Sequence, residues 1–86
     1  MSHTILRLPA VLKRRGRSRS SHYADISAGL YVKPVQIGAR AVGTPEYEVH
    51  ALNAARIAGK TDDEIRSLVL RLEAARKSVQ PAGGDE

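Results

Sequence analysis

The hydrophobic positions of this chain change their spacing twice, and each change marks a different kind of element. Near the start, Val11 and Leu12 point inward while Lys13, Arg14 and Arg15 stay largely outward, which predicts a short helix over 10–15. Pro9 fits its first position, where a missing N–H is no loss. Ile5, Leu6 and Arg7 before it read as a very short strand, and residues 1–4 as frayed chain. Gly16 ends the first helix, and a second begins about two residues later. Ser18 suits its N-cap, because a serine oxygen accepts from a free N–H of the first turn. Gly29 suits the left-handed residue that stops it. Tyr23 and Ile26 are its expected packing residues, with Leu30 just beyond. Two helices joined by so short a corner predict a helix-turn-helix.

From Tyr31 the spacing becomes that of strands. Val35, Ile37 and Val42 are β-branched, and Gly38-Ala39 between them offers a turn. A small hairpin over 34–37 and 40–43 follows, a wing flanked or tipped by Lys33 and Arg40. Gly-Ala-Arg at 38–40 is no nucleotide-binding fingerprint; an ordinary turn explains it. Helical spacing then returns. Thr44, Pro45 and Glu46 supply an N-cap, a first-position proline and a first-turn acid. That helix runs to about Ala58, with Val49, Leu52 and the stem of Arg56 on one face. Ala51, Ala54 and Ala58 form a second, small-residue face. Gly59 ends it. Thr61 and Glu64 make a capping box for a last helix over 62–79. Ile65, Leu68, Val69, Leu72 and Val79 form its stripe, and Leu70 points nearly opposite. Residues 81–86, with Gln80 before them, have the composition of a disordered tail.

Eighty-six residues make one modest core. The absence of cysteine excludes disulfides and cysteine zinc sites. His3, His22 and His50 lack metal-ligand spacing. No stretch is long and apolar enough for a membrane span, and no signal peptide is visible, so a soluble cytoplasmic protein is expected.

Charge sharpens the picture. The net charge of +5 divides into +7 over residues 1–40 and −2 over residues 41–86. Five of the eight front-half bases fall between Lys13 and Arg19. That cluster meets a hydroxyl-rich helix start, and arginines with hydroxyls at a helix N-terminus are equipped for a phosphate backbone and groove edges. The expectation is a helix-turn-helix on double-stranded DNA. Ser20, Ser21, His22 and Tyr23 would line the groove face, with the N-cap Ser18 beside them among the DNA-binding residues. Arg15, Arg17 and Arg19 would clamp phosphates, and Lys33 and Arg40 would hold flanking backbone through the wing. His22 and Asp25 lie three apart on the second helix, so a partly buried His–Asp hydrogen bond that orients the helix stands beside a direct contact by His22. No nucleophile or metal constellation accompanies them, and no enzyme activity, cofactor or small-molecule ligand is expected. A protein-interaction adaptor with a basic face is the alternative outside DNA. RNA is disfavoured by the lack of exposed aromatics for base stacking.

The order of parts resembles the AlpA family of small phage-type transcriptional regulators. The resemblance covers roughly residues 4–58. It rests on Ile5-Leu6-Arg7-Leu8-Pro9 with Val11-Leu12, on Ser18-Arg19-Ser20-Ser21 with Tyr23 and Ile26, on Gly29 and Lys33-Pro34-Val35, and on the segment 37–43 with Glu48-Val49. The family implies a mainly α fold with a small β hairpin, a winged helix-turn-helix like that of excisionases and MerR regulators, here with an added C-terminal helix. It implies DNA binding near a prophage or integrated-element promoter or attachment site; an excisionase-like architectural role is the alternative within it. The family usually has aliphatic residues where His22 and Asp25 stand, an arginine at Ala24, and tryptophans at Thr44 and Leu52. The expected organisation is a DNA-binding domain over 1–58 and a C-terminal helix over 59–80. That helix carries a stripe in need of cover and is the candidate element of a homodimer.

Overall fold

The computed structural model describes residues 4–79. The expected tail over 81–86 and residues 1–3 of the expected fray lie outside the described residues. Thr4 itself is tied down, since its carbonyl accepts from Glu46 N at 2.8 Å.

The elements follow in the order β1 (Ile5–Leu6), α1 (Leu8–Arg15), α2 (Arg19–Ser27), β2 (Val35–Gln36), β3 (Val42–Pro45), α3 (Glu46–Ile57) and α4 (Asp62–Ala75). A 3-10 turn at Arg76–Ser78 closes the described chain. The fold is mainly helical with a three-stranded antiparallel sheet in the order β1-β3-β2, a winged helix-turn-helix with a helix added behind it. The expected hairpin is β2 with β3, its second strand shifted from 40–43 to Val42–Pro45, and in it Val35 pairs Gly43 and Gln36 pairs Val42. Its tip closes through Ile37 N to Ala41 O at 2.9 Å.

Local signals set most boundaries. Ser18 Oγ accepts from Ser21 N at 3.2 Å, the cap that starts α2. Gly29 has φ +78°, and beyond it Leu30 N reaches back to Asp25 O at 2.8 Å. This left-handed reversal satisfies a carbonyl that the helix end leaves free. Thr61 and Glu64 cap α4 reciprocally, at 2.8 and 3.2 Å. Thr61→Ala should cost about 1 kcal/mol, read as a fall in melting temperature, while Thr61→Ser should melt close to the parent.

Helix α1 starts at Leu8, which makes Pro9 its second residue, and two further boundaries differ from the sequence expectation because tertiary pairing overrides local preference. Thr44 caps nothing. It lies buried in β3 opposite Leu6, and α3 starts after Pro45 with no side-chain cap. Gly43 beside it permits the close approach of β1: a Cβ there would stand 2.5 Å from Ile5 Cγ2 and 2.8 Å from the Leu6 carbonyl oxygen. The last helix ends at Ala75, four residues short of Val79, which is partly exposed after the 3-10 turn.

The core joins Leu6, Val11, Tyr31, Val32, Val49, Leu52, Ala55, Ile65 and Val69, with Ala10, Ile26, Leu30, Leu68 and Leu72 packed against it. On α3 the buried stripe is Glu48, Val49, Leu52 and Ala55. The expected small face fails: Ala54 and Ala58 are exposed, and Arg56 turns outward towards Asp62. Residues 52 and 55 share the face that α4 covers, whereas 54 and 58 lie round the helix from it. Tyr23 is likewise on the surface, at 48% exposure.

Helix α4 does more than cover the core. It holds the segment 28–34 that joins α2 to β2. Arg66 Nε donates to Ala28 O at 3.0 Å, and Glu73 accepts from Lys33 N at 2.8 Å. Arg76 donates to Lys33 O at 2.7 Å and forks onto Glu48, Nη2 to Oε1 at 2.6 Å and Nε to Oε2 at 2.9 Å. Glu48 is completely buried, and the Arg76 side chain that reaches it comes from the 3-10 turn that follows the helix. Among the described residues no helix is long and apolar enough to cross a membrane.

Candidate nucleic-acid interface

The corner between α1 and α2 sorts its charged residues into two layers. Arg15 lies inside, its side chain 6% exposed. Its guanidinium stacks 3.8 Å over the Tyr31 ring, donates to Asp25 Oδ2 at 2.6 Å and bonds His22 Nδ1 at 2.9 Å. His22 is buried with it, edge-on to Tyr31 at 5.2 Å between ring centroids. The expectation that Arg15 clamps phosphate and His22 faces a groove is therefore corrected: both are spent on one internal cluster. Neither spacing nor composition announces this, because the cluster depends on how α1 packs on α2. The sequence pairs His22 with Asp25 directly; in the fold Arg15 stands between them.

Arginine cannot give up its proton, so His22 Nδ1 must accept and the ring proton sits on Nε2. Burial lowers the His22 pKa below its ordinary 6.5, the Arg15 charge lowers it further, and Asp25 opposes both. The unfolded chain thus takes up a proton that the folded chain resists. Stability from this site is complete above about pH 6.5 and is lost as the pH falls from there through the folded value. Urea midpoints should drop between about pH 7 and pH 5, and His22→Gln, which keeps an acceptor for Arg15, should flatten that drop. A flat parent curve would contradict the assignment. Burial also pushes the Tyr31 hydroxyl up to about 12, against the lowering effect of Arg15.

The outer layer is different. Ser18, Arg19 and Ser20 are exposed at the start of α2, with Ser21 half-buried and Tyr23 exposed on the next turn. Arg19 has no bonded partner among the described residues. Arg17 is half-exposed and forks onto Asp25, Nε to Oδ2 at 3.2 Å and Nη2 to Oδ1 at 3.1 Å. On the hairpin, Arg40 is exposed at the tip. Lys33 is exposed before β2, and its backbone, not its ammonium, is bound by α4. Asp25 is the only acid before Glu46, and it is buried. Within residues 4–45, therefore, the corner and the wing present cations and hydroxyls to solvent, and their one carboxylate is buried; Asp62 of α4 lines the cleft beside Arg17.

Residues 4–56 match the family model described as Prophage CP4-57 regulatory protein (AlpA). The chain belongs to the AlpA family. The match spans β1 to the penultimate residue of α3, so it contains the corner, the wing and the whole cluster around Arg15. Helix α4 falls outside the AlpA match. Neither curated proteins nor solved structures gave a match. AlpA is a regulatory DNA-binding family rather than an enzymatic one.

Proposed function

We propose that this AlpA protein is a sequence-specific DNA-binding transcriptional regulator that uses its helix-turn-helix and β wing on duplex DNA and acts in the cytoplasm at the nucleoid. The observation that carries the reading is the exposed basic and hydroxyl surface of the corner and the wing: capped α2 with Arg19 and Ser20, and a wing tipped by Arg40. In this reading Ser18, Ser20, Ser21 and Tyr23 face the groove, while Arg17, Arg19, Lys33 and Arg40 contact phosphates. Phosphate contacts supply most of the affinity, and base contacts the discrimination. With about four such contacts, affinity should fall with a log–log salt slope of roughly −4 per protomer. Arg19→Ala should weaken binding to every duplex and reduce the slope by about 1. Fluorescence anisotropy across a salt series checks both; a slope near zero with folded protein would sink the proposal.

An excisionase-like role uses the same contacts, and bending of a duplex by circular-permutation electrophoresis separates it from simple operator binding. The expected homodimer now stands on a narrower base. Ile65, Leu68, Val69 and Leu72 pack against the protomer's own core, which leaves Leu70, 68% exposed, as the apolar residue on the outer side of α4. Sedimentation equilibrium of the parent and of Leu70→Glu tests it: a monomer mass for both removes the dimer.

A further inference from the structure

Asp25 joins the two layers of the α1–α2 corner. Its carboxylate is nine-tenths buried and receives Arg15 from inside at 2.6 Å. The same carboxylate holds Arg17 side-on, through Nε and Nη2. Arg17 is 46% exposed, so the pair runs from the interior to the surface immediately before the Ser18 cap. A side-on fork occupies one edge of a guanidinium. The adjacent end-on edge, formed by Nη1 and the second Nη2 hydrogen, meets no acceptor among the described residues. Two parallel N–H groups on a fixed plane match two oxygens of a phosphate.

We propose that Asp25 is a positioning residue that holds Arg17 so that this free edge meets one phosphodiester of duplex DNA. The inference rests on the DNA-binding reading above. Arg15, anchored under Tyr31 and His22, fixes the carboxylate; the carboxylate fixes Arg17. An arginine ordered before it binds loses less side-chain freedom on binding. The alternative role of a buried carboxylate is only to neutralise its neighbours, and the two roles differ in sign. If Asp25 merely cancels charge, removing its charge near a polyanion tightens binding. If it positions Arg17, removing it weakens binding.

The experiment is a double-mutant cycle on the full chain, read by fluorescence anisotropy with a fluorescein-labelled, mixed-sequence duplex of about two helical turns. Arg17→Ala should weaken binding about fivefold and reduce the salt slope by about 1. Asp25→Asn should weaken it about threefold in the parent and leave it within about 1.5-fold in the Arg17→Ala background. Equal losses in both backgrounds, or tighter binding by Asp25→Asn, overturn the proposal. Asp25→Asn also strips Arg15 of its counter-charge, so a surface variant stands beside it. Arg17→Lys keeps the charge and loses the fork; it should bind nearly as weakly as Arg17→Ala, and parent-like binding overturns the proposal whether or not Asp25→Asn folds. If Arg19→Ala and the salt series respond while Arg17→Lys binds like the parent, only the positioning role fails. If neither responds, the DNA-binding reading has failed with it.

Discussion

Arg76→Met should destabilise the protein by about 3–5 kcal/mol, the scale for breaking a buried ion pair by removing one partner. The cause is Glu48. It is completely buried on α3, and its carboxylate is held by the Arg76 fork at 2.6 and 2.9 Å. That hydrogen bonding raises the Arg76 pKa, so the guanidinium carries its charge throughout the working range. Removing it strands a carboxylate in the core and frees the Lys33 carbonyl as well. A chain of this size is stable by only about 5–15 kcal/mol, so urea denaturation should show a large loss of midpoint. The double variant Glu48→Leu/Arg76→Met should recover most of the loss, because an apolar pair removes the stranded charge. A loss below about 1 kcal/mol for Arg76→Met would show that water reaches Glu48 and satisfies it.

Ile65→Ala should cost roughly 3–4 kcal/mol, within the range for deleting a fully buried branched side chain. Ile65 has no exposed surface and sits where α4 crosses α3, in the cluster with Leu52 and Ala55. Ala55 is too small to move into the vacated space, so the cavity should persist and the penalty should lie above the minimum. Ile26→Ala, on the second helix, should cost only about 1–2 kcal/mol, because Ile26 is half-buried at the edge of the core. Thermal melts of the two variants give the order. The reverse order would mean that α4 covers the core less tightly than its zero exposure at Ile65 implies.

What could be read from the sequence follows the range of each interaction. The Ser18 cap, the Gly29 reversal and the Thr61–Glu64 box span a few residues each, and all three are in place. The hairpin was legible from β-branched residues around a turn. Thr44 misleads because a threonine before proline and glutamate has every local mark of a cap; pairing with Leu6, thirty-eight residues away, decides otherwise. Glu48 carries no local sign of burial, since it is a first-turn acid of α3, and only the path of the chain beyond α4 puts Arg76 beside it. At the start of α2, Ser18, Arg19 and Ser20 are exposed, as their helix positions predict. Arg15 and Arg17 are two residues apart and look equivalent, yet one is interior and the other reaches the surface. Their difference comes from Asp25 and Tyr31, which approach from the far side of the corner.

The grip of α4 on residues 28–34 has a mechanical consequence. Ala28 and Lys33 sit near the two ends of the joint between α2 and the hairpin, and both are bonded to side chains of α4, Arg66 and Glu73. Tyr31 and Val32 between them are buried. The joint therefore behaves as the locked hinge of a caliper, whose two jaws are α2 and the wing. Its opening is set within the free protein, by a helix that lies outside the AlpA match. On the proposed function, a duplex whose grooves do not fit that opening must itself bend or twist to be held. Sequences that deform readily would then be favoured at base pairs that no side chain touches.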